Sequence, residues 1–423
     1  MTIPKTTNTD YSKPYQPLLI KLLNAAGFGN VHKQFDPERL LAAARKQAGE
    51  TELSAAPLME PLRRLCDSLI AEAELSPFGR IVQATRLKML LVNRLRLDAL
   101  MAKHPEILEQ PDPHVLLIAG LARTGTTFLH RVLAADPMAR SLPSWEALNP
   151  APLPGEPAGD PSRRIKRGRS ANKAMNWLAP DFAAVHPVDA EQPEEDILLL
   201  DLTMISQTAE AVTYVPSYSA WLESVDHRPA YAYLRDVLKV LQWLRPGPEK
   251  TTHWVLKSPH HAEQLGAAMD VFPKATVLQT HRDPMVTTGS CSSLMCHTHG
   301  LSTDALNPEM VARHWLRKSG IMANNAIAAR AANPDRTTLD IAYDDLMRDP
   351  ATIIAQIYAA HGAPLTEAGK DAVTKAALAP TEHNKGKRHA YALSDFGLTP
   401  EDVKRTFADY FSHYNITPKQ SPT

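Results

Sequence analysis

The sequence predicts a three-layer α/β fold, with a central parallel sheet covered by helices on both faces and a helical region in front of it. Three observations predict this. The run from His114 to Ala119 is all apolar after the His, as a buried parallel strand requires, and further short strand-like runs recur. Each run is followed by a helical pattern, and alternating strands and helices build a parallel sheet through right-handed crossovers. The first run also passes into its helix through a glycine turn, Gly120 to Gly125.

The elements come in this order. Residues 1–36 are polar and proline-spaced and read as loosely structured. Asp36 before Pro37 is an N-cap followed by proline at the first helical position. From there to about residue 110, apolar residues repeat at three- and four-residue spacing, which predicts helices. The partition is therefore 1–110 as a helical region and 111–423 as the α/β domain. The helical region serves as core packing or as a homodimer surface.

Strands are predicted at 114–119, 253–257, 276–282 and 337–343. Helices are predicted from Thr126, after Lys257, from Asp283-Pro284, from about Pro350, and across 400–414. Residues 150–185 are rich in proline, glycine and arginine and read as a long irregular excursion. The run RRIKRGR within it reads as a solvated face, with a phosphate site as the alternative.

The 423 residues carry 44% apolar and 22% charged side chains, an ordinary globular composition. The formal net charge is zero, so the overall balance points to no nucleic-acid partner. Three cysteines make no disulfide framework and fit a reducing, cytoplasmic setting. The polar N-terminus shows no secretory signal pattern, and no apolar run is long enough to span a bilayer.

Gly120-Leu-Ala-Arg123-Thr124-Gly125-Thr126-Thr127-Phe128 has the spacing of a phosphate-binding loop. Glycines permit the tight turn, and the freed N–H groups face an anion at a helix N-terminus. A triphosphate-binding loop places lysine where this chain has Thr126, so the usual clamp on the outer phosphates is missing. The cation is Arg123 instead. Further on, Arg282 and Ser290 flank the start of the helix opened by Asp283-Pro284, where both can reach one anion.

Together these motifs resemble the sulfotransferases that use 3′-phosphoadenosine 5′-phosphosulfate (PAPS), in their bacterial branch and with their P-loop-like fold. The resemblance implies that Gly120, Arg123, Thr124, Gly125, Thr126 and Thr127 hold the 5′-phosphosulfate. It implies an adenine contact for Phe128, though Phe128 reads equally well as core. Arg282 and Ser290 would hold the 3′-phosphate, and the basic loop Lys385-Gly386-Lys387-Arg388 would close over it. Lys257, at a strand end, would meet the sulfuryl group. No metal is expected, and the product would be 3′-phosphoadenosine 5′-phosphate (PAP). The acceptor would be a small molecule with a hydroxyl or amine.

Such an acceptor must lose a proton to a base within hydrogen-bond reach. The candidates are Glu146, His260, His261 and His186. Glu146 follows the loop helix at the distance that the tyrosylprotein branch uses. His260 and His261 follow Lys257, but Pro259 breaks the Lys-x-His spacing of the aryl and steroid branch. His186 lies beside an acidic run. Cys291, Cys296, His297 and His299 have metal-ligand chemistry but no standard zinc spacing, and buried thiols explain them better. The alternatives to a sulfotransferase are a small-molecule kinase and a non-catalytic nucleotide-binding protein.

Overall fold

The computed structural model describes residues 10–27, 29–49, 55–185, 188–246, 253–379 and 391–419. Five strands form one parallel sheet: β1 Val115–Ile118, β2 Ala139–Arg140, β3 His253–Lys257, β4 Thr276–His281 and β5 Thr338–Ala342. Their spatial order is β2-β3-β1-β4-β5. In register, Ile118 lies opposite both Lys257 and Leu278. The β1, β3 and β4 residues are all buried, and β1, VLLI, is apolar throughout.

Successive strand residues point to opposite faces. Val115, Leu117, Trp254, Leu256 and Val277 join one core with the helices Arg228–Leu244 and Pro308–Ala332. Leu116, Ile118, Val255, Leu278 and Ile341 join another with Leu129, Leu133, Ile354 and Tyr358. This is the three-layer arrangement expected, although those two long helices were not among the predicted elements.

The N-terminal helices include Pro37–Ala48, Ala56–Ala71 and Pro77–Lys103. Asp36 caps the first by accepting from the Arg39 N–H at 2.9 Å. Their apolar faces make a third core from Phe35, Leu62, Leu65, Leu87 and Leu91, and Met204, Tyr218 and Leu222 complete it. The helical region therefore closes on residues that lie between β2 and β3 in the chain.

Some expectations need correction. The segment 150–185 is not irregular throughout: it carries the helices Ser162–Leu178 and Pro180–Val185. Most of its prolines and glycines fall before residue 162, and residues 162–178 are mostly helix formers. Gly168 survives mid-helix because a Cβ there would meet the Trp145 Cβ at 2.6 Å. The loosely read N-terminus contains the helix Leu18–Ala26. The last helical stretch divides into Pro400–Thr406 and Ala408–His413. No helix among the described residues is long and apolar enough to cross a membrane.

Candidate active site

The loop between β1 and the helix Thr126–Leu133 is built by steric exclusion. A Cβ on Gly120 would collide with Oγ1 of Thr280 on β4. Gly125 has φ +91°, a left-handed conformation, and its outer side lies against the Tyr343 ring. Arg123 also has positive φ, at +71°. Inside the turn, Thr124 donates from Oγ1 to the Leu121 carbonyl at 2.7 Å, and its hydroxyl lies 2.6 Å from that of Thr280. The Thr126 side chain is buried and that of Thr127 is exposed. Phe128 is half-buried and packs against the Leu116 core.

The second anion-binding element is tied to this loop. Arg282 donates from Nη1 to the Arg123 carbonyl at 3.1 Å, and Arg123 donates from Nε to Ser290 Oγ at 3.0 Å. Arg282 also stacks its guanidinium 3.9 Å from the Tyr343 ring centroid. Asp283 caps the helix Pro284–His299 by accepting from Met285 N–H at 2.9 Å. Two arginines and a serine thus converge at one helix N-terminus, where backbone dipoles favour an anion.

Lys257 ends β3 and is only 3% exposed. Its ammonium is bonded to the Glu195 carboxylate. The next residue, Asp196, is fully buried and lies 3.0 Å from Nε2 of His261. The other ring nitrogen of His261 lies 2.8 Å from the Tyr231 hydroxyl. Burial opposes the Asp196 charge, but His261 outweighs it and holds the carboxyl below its usual range. Both ring nitrogens of His261 are therefore engaged by buried partners.

His130, on the loop helix, is buried, and its Nε2 has no hydrogen-bond partner among the described residues. Burial first, and Lys257 second, push its pKa down to about 3. His260 is fully buried and lies beside His227, with ring centroids 5.1 Å apart. Its pKa is far below the usual value, through burial and then through His227, His261 and Lys318.

Glu146 is placed differently from Glu195. Its carboxylate is buried and engaged on both oxygens by Arg245, at 2.8 and 3.2 Å. Arg245 follows the helix Arg228–Leu244, on the way into β3. The carboxylate that meets Lys257 is that of Glu195. His186 and Lys385, Gly386, Lys387 and Arg388 lie outside the described residues. Tyr391, just beyond that loop, packs on Gly289, the neighbour of Ser290. Cys291 and Cys296 are buried, and burial pushes their thiols up to about 11 and about 12.

Residues 113–367 match the Sulfotransferase family. The chain belongs to the sulfotransferase family. It is similar to the sulfotransferase STF1 of Mycobacterium tuberculosis H37Rv, with 30% identity and a TM-score of 0.76 over 88% of this chain and 98% of that one. It is similar to STF9 of Mycobacterium avium, with 26% identity and a TM-score of 0.78 over 90% of this chain and 97% of that one. It is also 25% identical over 260 residues to the omega-hydroxy-beta-dihydromenaquinone-9 sulfotransferase Stf3 of Mycobacterium bovis and of Mycobacterium tuberculosis. That match covers 58% of this chain and 62% of those relatives, which is less than two thirds of their length.

In this member of the family, the structure brings the predicted loop, Arg282 and Ser290 together, and around them and Lys257 it adds neighbours that sequence reasoning missed. Tyr343 ends a predicted strand on the ligand side of the sheet, and that position was the available signal. Glu195 and Asp196 lie in the acidic run EQPEED, whose signal was noticed but assigned to His186. Nothing local marks Tyr231, which reaches His261 from a helix outside the predicted set. Among the described residues, no group of three or more His, Cys, Asp or Glu side chains is placed to hold a metal ion.

Proposed function

We propose that the protein transfers a sulfuryl group from PAPS to the hydroxyl or amine of a small-molecule acceptor by metal-independent in-line displacement. One observation carries the donor assignment: Arg282 and Ser290 are both bonded to Arg123 of the phosphate loop. Two anion-binding elements joined in this way suit a nucleotide with phosphates on both sides of its ribose. The left-handed turn at Gly125 and the cationic side chains fit such a donor. The late loop containing Lys385, Gly386, Lys387 and Arg388 is assigned to the same phosphate.

The donor supplies an activated sulfuryl group and a phosphate leaving group. The chain's residues supply position and charge. Backbone N–H groups of the loop and Arg123 hold the 5′ side. Lys257 neutralises negative charge growing on the leaving oxygen. Glu195, already bonded to Lys257, takes the proton from the attacking acceptor. His261 acts through Asp196: both of its ring nitrogens are engaged, so it fixes the segment that presents Glu195.

The acceptor class follows the relatives. Stf3 is named for a hydroxylated menaquinone derivative. An acceptor with its hydroxyl on an apolar body is the class we infer from that name.

Calorimetric titration with PAP, AMP and ATP in the absence of metal tests the donor. Tight binding of PAP with weak binding of AMP supports the reading. Equal affinity for PAP and AMP removes the 3′-phosphate site and the function with it. Formation of PAP from PAPS in the presence of hydroxylated acceptors, followed by chromatography, tests the transfer.

A further inference from the structure

Overall neutrality conceals a local concentration of charge. The helix Ser162–Leu178 carries Arg163, Arg164, Lys166, Arg167, Arg169 and Lys173 and no acidic residue. Two of these cations are neutralised at once: Arg164 is buried against Glu156 at 2.7 Å, and Arg169 pairs with Glu191 at 2.7 Å. Arg163 donates to the Pro154 carbonyl at 2.8 Å. Lys166, Arg167 and Lys173 are exposed, and no carboxylate among the described residues pairs with them.

Packing fixes which face they occupy. Gly168 and Arg164 are buried against Trp145, the guanidinium 5.1 Å from its ring centroid. Helical spacing then places Arg163, Lys166, Arg167, Lys173 and Trp177 together on the outward side. Arg96 of the helix Pro77–Lys103 extends the field. Burial, and then the neighbouring Arg167, lower its pKa. A guanidinium set beside a guanidinium costs stability in isolation and suits a polyanionic partner.

Trp177 decides among polyanions. It ends the cationic row and is 52% exposed. A row of cations ending in an exposed tryptophan matches a bilayer surface, where cations meet phosphate headgroups and the indole enters the interface. A convex helix flank does not enclose a nucleic-acid strand as a cationic groove does.

We propose that the outward face of Ser162–Leu178 docks the enzyme on anionic phospholipid membranes. Lys166, Arg167 and Lys173 supply the attraction, and Trp177 supplies the apolar contact. The test is co-sedimentation of the full chain with vesicles of equal parts phosphatidylcholine and phosphatidylglycerol, against phosphatidylcholine alone, at low and high salt. Binding is expected only to the anionic vesicles and is expected to weaken with salt.

Replacing Lys166, Arg167 and Lys173 together by alanine should lower the partition coefficient roughly 100-fold, at about fivefold per cation. Trp177→Ser should weaken it at least severalfold without removing its salt dependence. These side chains are exposed, so thermal unfolding and turnover of a water-soluble acceptor should match the parent. Equal binding to both vesicle types overturns the proposal, as does undiminished binding by the triple variant. Capture of a single-stranded oligonucleotide or an acidic carrier protein through the same residues, with the vesicles ignored, also overturns it.

Discussion

Arg282 donates its Nη1–H to the backbone carbonyl of Arg123, 3.1 Å away across 159 residues of chain. The bond joins the helix behind β4 to the loop behind β1. Because β1 and β4 are hydrogen-bonded neighbours, their C-terminal ends open side by side. One arginine therefore holds the Gly120–Gly125 loop in shape, and in the proposed function its remaining N–H groups face the 3′-phosphate.

Arg282→Ala should weaken PAP binding by about 10- to 100-fold, the range for losing charge-assisted hydrogen bonds to a phosphate. AMP affinity should change much less. Calorimetry on the variant with both nucleotides checks this, and an equal loss for the two would place Arg282 in loop support alone.

Glu195→Gln should lower kcat by about 100- to 1,000-fold, as expected for a lost general base, while PAP affinity stays near the parent value. Glu146→Gln should act on stability. Its buried carboxylate is held by Arg245, and losing that pairing should cost about 1–3 kcal/mol. Steady-state kinetics beside urea unfolding of both variants separates the roles. A large kcat loss confined to Glu146→Gln would exchange them.

Lys318 is fully buried and bonds Glu263 at 2.7 Å, Glu210 at 3.1 Å and Glu223 at 3.3 Å. Burial opposes its charge, but these carboxylates outweigh burial and raise its pKa. Lys318→Met should cost about 3–5 kcal/mol by leaving buried carboxylates without their cation. Adding Glu263→Gln should recover part of that loss in urea unfolding. An unchanged midpoint in the single variant would show that the cluster adds nothing to stability.

Several histidines make the fold acid-sensitive. Burial pushes His130 down to about 3 and His299 to about 4, and both stay neutral in the native state. The unfolded chain accepts those protons near pH 6.5. Between about 6.5 and the native values the unfolded state binds more protons, so stability falls as pH is lowered through that window. Above about 7 these groups contribute no slope. Tm should drop from about pH 7 to about pH 5, and His299→Gln should flatten the drop. A Tm that is flat over this range in the parent would contradict the assignment.

By itself the sequence determined β1, β3, β4, β5 and the helices near Thr126, His260, Pro284 and Pro350, because apolar runs and helical periodicity are local, but not β2 or the helices Arg228–Leu244 and Pro308–Ala332. It also determined the glycine turn after β1, since Gly120 and Gly125 are demanded by a turn only a few residues long. It marked Arg282, Ser290 and Lys257 through their places at strand and helix ends. Tertiary structure decided who stands beside whom. Glu146 and Glu195 are both acidic residues between β2 and β3, and nothing local tells which one meets Lys257. His261 is one of four candidate bases by sequence, and only the fold sets Asp196 and Tyr231 at its two ring nitrogens. Ser162–Leu178 read as part of an irregular excursion, and only its packing on Trp145 settled which of its cations face outward. These outcomes depend on contacts between residues distant in the chain, which periodicity and spacing do not encode.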